Sequence, residues 1–200
     1  MATLQEKCVN FNSKMIVSNT GGNLSTDTGM ILVKEFMDSI GFSELANRFL
    51  HMKEERLYWF HDNLSLLEQL LFQLIAGYSA DSSANLLKQD PIFCLILDKE
   101  TIASQSSLSR FWDRMSEENI SQIQSLNQAL LDKVRLERNS TEMIIDLDST
   151  HSDTFGNQED TTYNAHYGTN GYHPLVAFDG LTGDFLKAEL RSGNVYTSKV

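Results

Sequence analysis

The 200-residue sequence is poor in cysteine, proline and positive charge, and it has no long apolar run. With only two cysteines, Cys8 and Cys94, it cannot build a disulfide framework, which favours a reducing compartment. A run of about 18 apolar residues is absent, which argues against a membrane-spanning helix. The first residues, MATLQEKCVNFNSK, lack the apolar centre of a secretion signal. We therefore expect a cytoplasmic protein with no membrane partner.

Positive charge is scarce relative to negative charge. The chain has 16 Lys and Arg residues against 27 Asp and Glu residues, a formal net charge of −11. Such a balance argues against a protein whose surface is dominated by contacts with phosphate backbones. The hydrophobic fraction of 41% is ordinary, so a packed core is expected.

The hydrophobic pattern changes period near residue 140. Before it the pattern is helical, as in the stripe formed by Leu67, Leu70, Leu71 and Leu74. After it, TEMIIDLDST, HPLVAFDG and DFLKAELRSG predict three strands, the last two joined by a glycine-flanked hairpin turn. Residues 151–172 are rich in Gly, Asn and Thr and predict a long connection. The prediction is an α+β protein with an N-terminal segment (1–25), a helical domain (26–140) and a strand-bearing domain (141–200).

The first predicted strand, within IIDLDSTH, carries two carboxylates. Side chains alternate between the faces of a strand, so Asp146 and Asp148 share one face. A solvated or backbone-capped strand end explains them without a function. A site for a hard cation such as Mg²⁺, which prefers carboxylate oxygens, is the functional alternative.

The run from Leu147 to Val195 resembles the start of the catalytic domain of bacterial insertion-sequence transposases of the DDE superfamily. The matching pieces are DST after an apolar strand, then GNQE, YNAHY, YHPLVAFDG and TGDFLKAELRSGN. Upstream, GYSADSSANLLKQDPIF and ASQSSLSRF are similar to the helical region that precedes this domain. The resemblance extends from about Gly22 to Val200.

The resemblance implies a ribonuclease-H-like fold in which three carboxylates bind two divalent cations, Mg²⁺ or Mn²⁺. It places Asp148 as the first catalytic carboxylate, with Asp146 shaping the same metal site. The second and third carboxylate motifs are absent before Val200, so we expect the front part of a longer transposase, inactive by itself. The implied activity is DNA strand cleavage and transfer, at the nucleoid, on insertion-sequence ends and target DNA. A homodimer is a further option.

Two other functions stay open at this point. One is a catalytically inactive transposase remnant that only folds or binds DNA. The other is a small metal-dependent hydrolase with a zinc site drawn from His151, Asp153, His166 and His173.

Residues 81–115 permit either a helix-turn-helix module or a purely structural helical bundle. In the first case Lys99, Arg110 and Arg114 would face DNA phosphates.

Overall fold

The computed structural model describes residues 7–17, 26–55 and 57–196. The chain divides into two compact units, Met1–Leu126 and Asn127–Val200. Helices dominate the first unit, and the named strands from residue 145 onwards all lie in the second. The predicted α+β class is therefore confirmed, whereas the predicted domain limits at residues 25 and 140 stay predictions. Within the described residues, no helix is long and apolar enough to span a bilayer.

The first unit opens with a short antiparallel hairpin that the sequence did not predict. Its strands are β1 (Lys7–Val9) and β2 (Asn12–Val17). In the turn between them, the backbone N–H and the side-chain amide of Asn10 donate hydrogen bonds of 2.7 and 2.6 Å to the carboxylate of Glu35. These bonds hold the hairpin against the helix that carries Glu35. The helices that follow are α1 (Met30–Ser39), α2 (Phe42–Phe49), α3 (Asn63–Ile75), α4 (Ser83–Leu86), α5 (Pro91–Ile96) and α6 (Gln105–Asp113).

Helix α3 buries only part of the predicted stripe. Leu67 and Leu70 are buried, Leu71 is half-buried, and Leu74 is 56% exposed, so the prediction that Leu74 packs in the core is wrong. The helix also buries Leu66, Gln69, Phe72 and Gln73. Two of these additional residues are glutamines, and their polar side chains hid this part of the buried surface from a search for apolar periodicity.

Helix α5 shows how local chemistry sets an element boundary. Asp90 precedes it in an extended conformation, and its Oδ1 accepts hydrogen bonds from the backbone N–H groups of Ile92 (2.9 Å) and Phe93 (3.0 Å). Pro91 occupies the first turn, where its missing N–H costs nothing. The helix places Phe93 and Ile96 in the core of the first unit, with Phe72, Leu108 and Phe111 also fully buried.

Helix α7 (Glu117–Arg138) begins in the first unit and ends in the second. Three strands of the second unit form one antiparallel sheet, in the order β3 (Ile145–Ser149), β7 (Leu175–Asp179) and β8 (Phe185–Glu189). This arrangement confirms the three predicted strands and the predicted hairpin between the last two. Gly183, in the hairpin turn, has a φ of +76°, a conformation that glycine adopts without strain.

The stretch predicted as a long connection contains a second three-stranded sheet. Its order is β4 (Ser152–Asp153), β6 (Thr169–Tyr172) and β5 (Thr162–Asn164). These strands are two to four residues long, too short to show an alternating pattern. Gly171 lies in the middle strand, where a Cβ atom would lie 2.1 Å from the carbonyl oxygen of Ser152. Only glycine fits this approach of two backbones.

Candidate active site

Asp148 lies near the end of β3, an outer strand of its sheet, and its side chain is exposed. It pairs with Val176 in the antiparallel register, and Asp146 pairs with Phe178. The backbone N–H of Ser149 donates a 2.8 Å hydrogen bond to Oδ1 of Asp148, which fixes the orientation of the carboxylate. Asp146 is also exposed and lies on the same face, as the sequence predicted.

A cavity of about 540 Å³ opens beside Asp148. Its wall is built largely from aromatic, imidazole and amide side chains of β5, of the β5–β6 turn, of a residue between β6 and β7, and of the segment after β8. Asp146 is not part of this wall. The lining residues are Asp148, Ser149, Tyr163, Asn164, Ala165, His166, Tyr167, His173, Asn194, Val195 and Tyr196.

Asn164 holds two sides of the cavity together. The side chain is buried, and its Oδ1 accepts hydrogen bonds from the N–H groups of His166 (2.9 Å) and Tyr167 (3.3 Å). Its Nδ2 donates a 2.6 Å hydrogen bond to the carbonyl of Gly193. One amide group therefore shapes the turn that carries His166 and Tyr167 and attaches the segment after β8 to that turn.

His173 is buried in the same wall with one nitrogen committed to the backbone. Its Nδ1 lies 2.7 Å from the carbonyl oxygen of Val195. Because a carbonyl only accepts hydrogen bonds, Nδ1 carries the proton. Arg191 donates through Nε to the carbonyl of His173 (3.2 Å), and the N–H of His173 donates to the carbonyl of Arg191 (2.8 Å). These bonds fasten residues 191–195 against the start of β7.

The residues at Asp148 fit one part of a divalent-cation site. Mg²⁺ is commonly bound through one or two carboxylates together with water and substrate phosphate, and the exposed Asp148 suits that role. Among the described residues, no group of three or more His, Cys, Asp or Glu side chains could hold a metal ion. Asp148 and Asp146 thus supply carboxylates on one face without forming a closed site by themselves.

The four residues suggested for zinc lie in two places. His151 Nε2 lies 3.1 Å from Asp153 Oδ1, and these two side chains line a small cleft with Thr169. His166 and His173 line the larger cavity beside Asp148. Structural and catalytic zinc sites take at least three protein ligands, and the described residues offer no such group. The zinc hydrolase therefore has no ligand set in this part of the chain.

The three basic residues suggested for DNA contact lie in the first unit. Arg110 is exposed on α6, and Lys99 is half-buried before it. Arg114, at the end of α6, donates hydrogen bonds to the carbonyl of Arg110 (3.1 Å) and to Oδ1 of Asn63 (2.8 Å). Its guanidinium thus ties the end of α6 to the start of α3, which makes Arg110 the most accessible of the three.

Comparison with known protein families identifies the chain. A family model described as transposase DDE domain group 1 matches residues 7–200. The chain belongs to this family of DDE transposases. Comparisons with curated proteins and with solved structures found no match. The family named from the motifs around Asp148 is thereby confirmed.

Sequence reasoning found Asp148 in this DDE transposase chain but did not assign most of the cavity around it. Asn164, Tyr163, Tyr167 and Asn194 come from turns and short strands whose positions no periodic pattern reveals. A signal was present in YNAHYG, because Asn and Gly are both residues that favour turns. The two tyrosines of this stretch, Tyr163 and Tyr167, line the cavity.

Proposed function

We propose that the protein is a DNA transposase that cleaves and transfers strands of an insertion sequence, with Asp148 as a ligand of a divalent cation, Mg²⁺ or Mn²⁺. The observation that carries the proposal is the position of Asp148. It is an exposed carboxylate near a strand end, it borders a cavity, and the chain belongs to a DDE transposase family. DNA ends and target DNA are the proposed partners.

The residue types suit the chemistry of a phosphodiester. A divalent cation held there supplies positive charge that stabilises the developing negative charge on phosphate oxygens. Asp148 would hold the cation, and the Ser149 N–H orients its carboxylate by donating a hydrogen bond to one of its two oxygens. Asp146, one pleat earlier on the same face, adds negative charge that favours a cation over a phosphate at this end of the strand.

We further propose that the sheet β3-β7-β8 is the start of a ribonuclease-H-like domain. Its support is the antiparallel order of the three strands and the carboxylate near the end of the first. For an insertion-sequence transposase, the proposed place of action is the bacterial nucleoid in the cytoplasm. Homodimerisation stays a prediction.

The test combines metal binding with strand cleavage. Calorimetric titration with Mn²⁺ should show weaker binding by Asp148→Asn than by the wild-type chain. The nicking assay uses the transposase that contains this chain and duplex DNA taken from the sequences that flank its gene. Nicking should require Mg²⁺ or Mn²⁺. Asp148→Asn should lower the nicking rate by more than the roughly 10- to 100-fold loss typical of outer-shell changes at metal sites. Binding of the same DNA should be retained, because the change removes a metal ligand and not a phosphate contact.

Glu189→Gln is the matched control. Glu189 is exposed in the same sheet, and the register pairs it with Leu175, which places it on the face opposite Asp148. The Glu189→Gln substitution removes one negative charge and should leave both nicking and Mn²⁺ binding unchanged. Full nicking by Asp148→Asn would show that the active site lies elsewhere. DNA binding without nicking by any form would favour the inactive remnant.

A further inference from the structure

The residues that line the cavity beside Asp148 are unsuited to binding a phosphate and suited to binding a nucleobase. Its lining residues, all within the described part of the chain, include no Lys or Arg. Three tyrosines line it instead, and they are exposed to 58% (Tyr163), 48% (Tyr167) and 82% (Tyr196). Aromatic faces stack on any base, and amides such as Asn194 can bond to base edges. The volume of about 540 Å³ suits a small ligand and excludes a duplex.

Tyr167 is backed by a fixed partner. Its ring stacks on His151 with centroids 4.5 Å apart and planes 9° apart. The side chain of His151 is only 6% exposed, and its Nε2 lies 2.9 Å from Thr169 Oγ1 and 3.1 Å from Asp153 Oδ1. Thr169 in turn donates a 2.7 Å hydrogen bond to Asp153. These contacts hold the imidazole in place, and it supports the tyrosine ring from one side.

The backbone that carries Tyr167 is equally constrained. The turn from Asn164 to Gly168 is closed by the Gly168 N–H, which donates to the carbonyl of Asn164 at 2.8 Å. Gly168 adopts a φ of +73°. With the two bonds that Asn164 Oδ1 accepts within the turn, the backbone that carries the ring is shaped before any ligand binds. Because a preformed surface is already ordered, binding to it costs little conformational entropy. More of the stacking free energy therefore contributes to affinity.

We propose that this cavity binds one unpaired nucleotide of the DNA strand whose phosphate lies at Asp148, with its base stacked on Tyr167. The proposal rests on the proposed transposase function and identifies the part of the substrate that the cavity takes. Because neither Lys nor Arg is among the described residues that line the cavity, the base and not the phosphate supplies the binding energy there. The DNA must then be opened, frayed or already broken next to the phosphate at Asp148.

The experiment compares three DNA duplexes of equal length: one blunt, one with a single unpaired 3′ nucleotide and one with a single unpaired 5′ nucleotide. The terminal base is 2-aminopurine, whose fluorescence falls when it stacks. The chain should bind one overhang duplex roughly 5- to 100-fold more tightly than the blunt one, the range that stacking of one base supports. The fluorescence of the unpaired terminal 2-aminopurine should fall on binding. The fluorescence of 2-aminopurine at an internal paired position should not change.

Three variants separate stacking from other effects. Tyr167→Phe keeps the ring and should keep the overhang preference, whereas Tyr167→Leu keeps apolar bulk and should lose it. Tyr58→Ala removes an aromatic residue that is 91% exposed in the other unit and should change nothing. Circular dichroism checks the fold of each variant. Should Tyr167→Leu not fold, the contrast between terminal and internal 2-aminopurine in the wild-type chain decides.

The outcomes distinguish this inference from the proposed function. Equal binding of all three duplexes, preference retained in Tyr167→Leu, or no DNA binding at all would overturn the nucleotide site. Asp148-dependent nicking together with equal binding of the duplexes would leave the transposase function standing and remove only this inference. An overhang preference that depends on Tyr167, together with full nicking by Asp148→Asn, would leave the nucleotide site standing and remove the proposed function of Asp148.

Discussion

Asp179 is a fully buried carboxylate at the end of β7, and its environment explains why it stays charged. The N–H of Leu181 donates to Oδ1 at 3.0 Å, the N–H of Ile144 also donates to Oδ1, and Arg135 Nη1 lies 3.0 Å from Oδ2. The hydrogen bond from Leu181, followed by the one from Ile144 and by the charge and hydrogen bond of Arg135, lowers the pKa of Asp179 below its ordinary value. The group thus closes the β7–β8 hairpin and fastens β3 and α7 to it.

The lowered pKa of Asp179 sets the sign of a pH dependence. A carboxyl whose folded pKa is depressed stabilises the fold above its unfolded pKa of about 3.9, and this stabilisation is lost as the pH falls towards the folded value. Asp179→Asn should lower the midpoint of thermal unfolding at pH 7 and flatten its fall between about pH 4 and pH 2. The exposed Asp160→Asn is the control and should follow the wild-type profile. A parallel acid limb in Asp179→Asn would contradict this role.

Asp148 and Asp179 show what a sequence reveals at the scale of residues. Both are aspartates near the end of an apolar strand, yet one is exposed at a cavity and the other is buried against an arginine. The motif around Asp148 was enough to single it out. The role of Asp179 depends on Arg135, which lies 44 positions away and contacts it only after folding.

At the scale of elements, the two buried glutamines of α3 have opposite hydrogen-bonding states. Gln69 donates through Nε2 to the carbonyl of Ala103 (2.9 Å) and accepts from the N–H of Ala103 (2.8 Å). The Gln69 side chain thus exchanges a pair of hydrogen bonds with the segment before α6, as a neighbouring β-strand residue would. Gln73, one turn later, is equally buried, but its Nε2 has no hydrogen-bond partner among the described residues.

The contrast between Gln69 and Gln73 gives a prediction in which Gln73 serves as the control. Gln69→Leu leaves two buried backbone groups of Ala103 without partners, at roughly 1–3 kcal/mol for each group, so the free energy of unfolding should fall by about 2–6 kcal/mol. Gln73→Leu removes an amide whose Nε2 has no hydrogen-bond partner in the described part of the chain, so the change should be neutral or stabilising. Urea unfolding of both variants measures the difference. A loss of equal size at both positions would mean that side-chain volume, and not hydrogen bonding, governs this face.

Elements with strong local signals were predictable, and those made by tertiary contact were not. The strands β3, β7 and β8 and the hairpin turn followed from apolar runs and flanking glycines. The hairpin β1–β2 and the sheet β4-β6-β5 did not, because all but one of their strands have only two to four residues, and the second sheet depends on contacts such as the close approach at Gly171. The cavity lies along that second sheet, so most of the candidate site escaped sequence analysis for the same reason.

At the scale of the whole molecule, net charge limits how the chain can hold DNA. A formal charge of −11 repels the phosphate backbone, and of the three suggested basic contacts Arg114 is already bonded to Asn63. Affinity should therefore depend on few phosphate contacts and, at the proposed nucleotide site, on base stacking. The salt dependence of binding reports the number of phosphate contacts directly.

We accordingly expect a shallow salt dependence. With Lys99, Arg110 and Arg114 as the only contacts, the slope of log K against log salt for duplex DNA should be no steeper than about −3. Arg110→Ala should reduce its magnitude by about 0.9, because one phosphate contact is lost. Lys14→Ala removes an exposed positive charge outside that set and should leave the slope unchanged. A slope steeper than about −5 would require phosphate contacts from many more basic residues. An unchanged slope in Arg110→Ala would remove α6 from the DNA-binding surface.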